Sequence, residues 1–103
     1  MSAGGFVAVL VIELHFPEAN SLKAKRKELS SIKAQLHGRL GAAVSETAHQ
    51  DLWQRATLVA SLTSGSLPRL RAAADELERW VIARCPDGAR VEQLIASVED
   101  VRP

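Results

Sequence analysis

Tyrosine is absent from this chain, and phenylalanine and tryptophan contribute two residues each, which leaves few rings on which a base could stack. Cysteine occurs once, at Cys85, so no disulfide can form within the chain. The three histidines and Cys85 have no metal-ligand spacing, and neither a metal nor any other cofactor is expected. Charge of neither sign dominates. The formal net charge is +1 over 103 residues, which gives no global attraction to nucleic acid or to a membrane, so electrostatic recognition has to rest on local clustering. The apolar run Phe6 to Ile12 lacks a basic leader and is too short to cross a bilayer. A cytoplasmic protein with no membrane partner is expected, without internal repeats or low-complexity segments.

What is present fits a single core: 47% hydrophobic and 24% charged residues in one short chain. Residues 1–5 read as a flexible tail and 6–103 as one domain. Phe6 to His15 is rich in β-branched residues and ends at Pro17, which predicts a strand apolar on both faces. Its even positions, Phe6 to Leu14, form one face, and Val7, Val9 and Val11 form most of the other. Such a strand is central in its sheet. Asn20 or Ser21 can cap a first helix that carries Leu22, Leu29, Ile32, Leu36 and Leu40 and stops at Gly38 and Gly41. A short edge strand over Ala42 to Ala48 precedes a turn at His49 to Asp51. A strand over Trp53 to Thr63 follows, with Ala56, Leu58, Ala60 and Leu62 as its core face. Ser64 to Ser66 and Pro68 announce a second helix with Leu67, Leu70, Ala74, Leu77, Val81 and Cys85 on one stripe, ended by Pro86 to Gly88. Arg90 to about Val98 supplies a last strand.

The order βαββαβ at this length predicts an α+β ferredoxin-like sandwich, two helices on one face of a four-stranded antiparallel sheet of spatial order 4-1-3-2. This topology gathers the end of the first strand, the start of the first helix and two turns at one end of the sheet. Glu13, His15, Glu46, Trp53 and Arg90 are expected there as a polar cluster, with His49 and Asp51. The same end holds four cations within five residues, Lys23, Lys25, Arg26 and Lys27. Their position is unusual, because the first turn of a helix favours acidic side chains by roughly 0.3–1 kcal/mol each. At about 100° per residue Lys25 and Arg26 fall beside the leucine stripe, and Lys23 and Lys27 point outward. The inner pair is expected to reach polar groups over the sheet end, Glu46 or Glu13 being the available carboxylates, and the outer pair to face solvent or a partner.

The string Ser21-Leu-Lys-Ala-Lys-Arg26, preceded by a strand ending Glu-Leu and followed by Ser45-Glu46 and Trp53-Gln-Arg-Ala56, resembles the YlxP-like family of small bacterial proteins. That resemblance covers nearly all of the chain after Gly5. It implies a ferredoxin-like fold in a domain-of-unknown-function family often encoded among genes for translation factors and ribosome maturation, and hence a link to RNA or the ribosome by association.

The residues point to a non-catalytic interaction module with an anionic partner at the basic helix start, and the resemblance implies that this partner is RNA or the ribosome. The alternatives are an anionic-metabolite-binding or purely structural homodimer and, further off, a phosphate-ester hydrolase. Ferredoxin-like RNA readers place several aromatics on the central strands, and here Val7, Val9 and Val11 stand in that place. With Val59 and Ile95 they suit a homodimer interface on the face that the helices leave open. The loop Phe16 to Asn20 has no glycine to let backbone amides approach a phosphate, and no nucleophile is placed beside a base.

Overall fold

The computed structural model describes residues 4–103. Its elements are β1 (Phe6–His15), α1 (Leu22–Gly38), β2 (Ala43–Ala48), β3 (Arg55–Ser64), α2 (Leu67–Arg84), β4 (Ala89–Ser97) and a short α3 (Val98–Val101). The strands form one antiparallel sheet in the order β2-β3-β1-β4, so the architecture is the ferredoxin-like α+β sandwich. Residues 1–3 of the expected tail lie outside the described residues; the Gly5 carbonyl accepts the Val98 amide at 3.0 Å.

The alternation of β1 decides where the core sits. Ala8, Leu10 and Ile12 are fully buried on the face shared with Ala56, Leu58 and Ala60 of β3, and the stripes Leu29, Ile32, Leu36 of α1 and Leu70, Leu77, Val81 of α2 close over them. The helices begin and end where local chemistry directs. Ser21 caps α1 by accepting the Ala24 amide at 3.0 Å, and Ser66 caps α2 ahead of Pro68. At the far end of α1, Gly41 adopts φ 73°, a conformation open to glycine at little cost, and the following Ala42 amide satisfies the Leu36 carbonyl at 3.0 Å. Gly88 has a different reason. A Cβ there would stand 2.8 Å from the Cβ of His15, on the strand whose amide it receives at 2.9 Å.

Three details differ from the sequence reading. β3 starts at Arg55, and Trp53 lies in the hairpin, 52% exposed. β4 stops at Ser97, because Ser97 and Asp100 exchange side-chain and backbone hydrogen bonds in a capping box that opens α3. The backbone amide of Ser97 holds the Asp100 carboxyl below its ordinary pKa. Finally, Ile95 pairs with Ala8 and is therefore on the helix-covered face, and Leu94, opposite Val9, takes the place expected for it on the open face. The phase of β4 is hard to read locally because the polar Gln93 sits on the core face. This is an edge strand, and Gln93 Nε2 reaches Asp75 and Glu78 of α2 at 3.0 Å each.

Leu10 sits where the central strand meets both helices, so Leu10→Ala removes packed atoms and leaves a cavity. A destabilisation of about 2–5 kcal/mol is expected by chemical denaturation; a midpoint equal to wild type would contradict the central place of β1.

Candidate functional site

The first turn of α1 contains no acidic residue, and the chain supplies its own compensation from below. Glu46 pairs with Leu58 in the β2–β3 ladder, which puts its side chain on the helix side of the sheet. A register shift between Glu46 and Ala48 and a left-handed His49, φ 63°, then bend the hairpin. This bend brings the His49 and Gln50 carbonyls under α1. Lys25, with no exposed surface, donates from Nζ to the His49 carbonyl at 2.5 Å and stands 3.7 Å from Glu46 Oε2. Arg26 forks, Nη1 donating to Glu46 Oε1 at 2.7 Å and Nη2 to the Gln50 carbonyl at 3.0 Å. Two cations thus converge on one carboxylate, whose side chain is 8% exposed. Its Oε2 makes no hydrogen bond, so its charge is balanced by Lys25 only through space. Lys23 and Lys27 behave differently: both are exposed, and among the described residues neither makes a hydrogen bond or ion pair with a side chain.

The sheet divides the rest of the expected cluster from this network. Glu13 points to the open face, where its Oε2 accepts the Thr57 hydroxyl at 2.8 Å; Arg90 stands beside it in register on β4 and His15 one pair further on, opposite Arg55. Trp53 is exposed in the hairpin, and its neighbour Gln54 secures the β1–α1 loop by donating to the Pro17 carbonyl at 3.1 Å. Glu13, His15, His49, Arg55, Arg90 and Glu92 line a wide cleft of about 820 Å³ on that open face. Arg55 is not among the site residues expected from the sequence; its signal there is its place at the strand end, where it pairs with His15.

A second cleft of about 330 Å³ lies between the β1–α1 and α2–β4 loops and includes Cys85. Arg84 donates to Glu28 at 3.0 Å across it, and that bond raises the arginine's pKa. Burial raises the Cys85 thiol, with Arg84 opposing it in part, so little thiolate exists at neutral pH and the group is a poor nucleophile. Among the described residues no three histidine, cysteine or acidic side chains group as metal ligands, and no helix is long and apolar enough to cross a membrane.

The chain matches, over residues 7–93, the family described as "Protein of unknown function (DUF503)" and belongs to it. No curated protein matches. Among solved structures it is similar to the de novo designed protein Foldit4, with a TM-score of 0.55 at 11% identity over 89% of this chain and 96% of that one. The de novo designed protein Ferredog-Diesel aligns at a TM-score of 0.39 and 19% identity, over 89% of this chain and 88% of that one. At such identity the likeness to Foldit4 speaks for the fold alone.

The network predicts an asymmetry between its members. Glu46→Ala strands the Lys25 charge in the interior and should cost about 3–5 kcal/mol. Lys25→Met keeps the Arg26–Glu46 pair and forfeits mainly the bond to the His49 carbonyl, a destabilisation of about 1–3 kcal/mol. Urea denaturation of the two variants checks the order, and an equal or reversed ranking would refute it.

Proposed function

We propose that this protein is a non-catalytic interaction module of the bacterial cytoplasm, of YlxP-like type, which contacts RNA or a ribosomal partner through Lys23 and Lys27 and works as a homodimer. The observation that carries this reading is the division of the four cations. The helix terminus disfavours all of them, yet only Lys25 and Arg26 are compensated inside the chain, by Glu46 and two hairpin carbonyls. For Lys23 and Lys27 compensation has to come from hydration and dissolved counter-ions or from an anionic partner. A row of phosphates is a partner of suitable sign and spacing for two exposed ammonium groups one turn apart, since lysine binds phosphate as a point charge and needs no fixed geometry. Dimerisation is favoured by the apolar open face, where Val9 is half-buried and Leu94 is 51% exposed.

The test is a salt titration of binding to a single-stranded RNA oligomer, read by fluorescence anisotropy. Replacing Lys23 and Lys27 together with Gln should flatten the slope of log affinity against log salt by about 1.4, roughly 0.7 for each phosphate that is no longer neutralised, with no fall in melting temperature, because both side chains are exposed and the helix start disfavours their charge. An unchanged slope would end the phosphate-binding reading. Arg26→Gln should instead lower the melting temperature and alter binding only through the loosened sheet end.

A further inference from the structure

The strand register lays the open face out in rows. At the level of Val9 the row from β2 to β4 reads Ala43, Ser61, Val9, Leu94, and at the next level towards the hairpin it reads Ser45, Val59, Val11, Glu92. At these two levels side-chain bulk rises from the β2 edge to the β4 edge, so the middle of the face is a wedge; the level of Thr63, Val7 and Ala96 does not share the slope. The charges of the face are confined to the hairpin end and sum to zero, Glu13 and Glu92 against Arg55 and Arg90.

A second copy of the chain fits such a face in one orientation. A two-fold axis lying in the interface across the strands would set the charged rows of each copy on the valine rows of the other and bury the neighbours Glu13 and Arg90 against apolar side chains, away from water, which is costly. An axis lying in the interface along the strands keeps every row at its own level and reverses its order. We propose that two copies pack in this second way, β1 of each over β3 of the other and β4 over β2; this rests on the homodimer reading above and adds its geometry. Leu94 then seats on the partner's Ala43 and Val9 on the partner's Ser61, large on small, while Val11 meets the partner's Val59, a fit that close packing favours. The charged ends meet as well, Glu13 arriving over the partner's Thr57 and one pleat from the partner's Arg55. Strands of 10, 6, 10 and 9 residues, spaced about 4.8 Å apart at about 3.4 Å per residue, give a footprint of roughly 570 Å². Accessible area exceeds footprint on a corrugated face, so this approaches the ~800 Å² per partner of a standard stable interface.

Cross-linking discriminates this orientation from others. In a Cys85→Ser background, chains carrying Ala43→Cys, Leu94→Cys or both are treated with a short bismaleimide, whose span matches the ~10 Å between packed sheets. Covalent dimers are expected from the double variant and from an equilibrated mixture of the single variants, and not from either single variant alone. Leu94→Glu should convert the sedimenting species to monomer at micromolar concentration while its circular dichroism stays that of the wild type. A wild-type monomer under those conditions would overturn both the orientation and the homodimer. A dimer in which Ala43→Cys links to itself, or in which no link between positions 43 and 94 forms, would overturn this orientation and leave the homodimer standing.

Discussion

A lysine ammonium withdrawn from water holds the hairpin end of this protein together. Taking a cation out of water is tolerable only when charge and hydrogen bonds replace the lost hydration, and here both come from the β2–β3 hairpin, as the Glu46 carboxylate and the His49 carbonyl. The arrangement places demands in turn on the hairpin. His49 has to enter a conformation that few non-glycine residues adopt, and β2 has to slip register after Glu46 for that carbonyl to turn under the helix. Arg26 extends the clamp to Gln50, so the angle at which α1 enters the structure is set by hydrogen bonds and ion pairs from two adjacent residues.

The four-stranded sheet keeps two sets of polar groups apart. Glu46 serves the helix side, where it neutralises the inner cations, and Glu13 serves the open side, where it receives the Thr57 hydroxyl beside Arg90. Since side chains alternate between faces along a strand, a carboxylate cannot change sides without a change of register. The inner cations are therefore compensated by one acid alone, and Lys23 and Lys27 are the exposed part of the cluster. Membership of a family of unknown function assigns no chemistry to that surface. The architecture assigns none either, because a designed sequence with 11% identity reaches a similar one.

Much of the fold was legible in the sequence because its elements alternate or repeat cleanly. The even positions of β1, the Ala56 to Leu62 face of β3 and most of both helix stripes form the buried layer, but Leu22, expected on the stripe of α1, is exposed at the helix start. Helical geometry alone sets Lys25 and Arg26 beside the leucine stripe and Lys23 and Lys27 outward; Lys25 is buried, and Arg26 is half exposed yet reaches Glu46. Where periodicity is weak, the local pattern does not fix the face. On β4 both phases carry apolar residues, and Gln93 on the core face is accommodated only because α2 offers Asp75 and Glu78. Trp53 looked like a strand residue by propensity, yet the bent hairpin leaves it outside β3.

The sequence by itself determined which residues could be buried, where helices start and stop, and that a cationic turn would need anions near it, since these depend on neighbours a few positions away. Only the tertiary structure decided that Glu46 and not Glu13 is the counter-charge of Lys25, that Leu94 and not Ile95 stands on the open face, and that Arg55 joins His15 at the sheet end. Each of those choices depends on the pairing register between strands far apart in the chain. A shift of one residue in that register moves a side chain to the other face of the sheet, and no local pattern can state it.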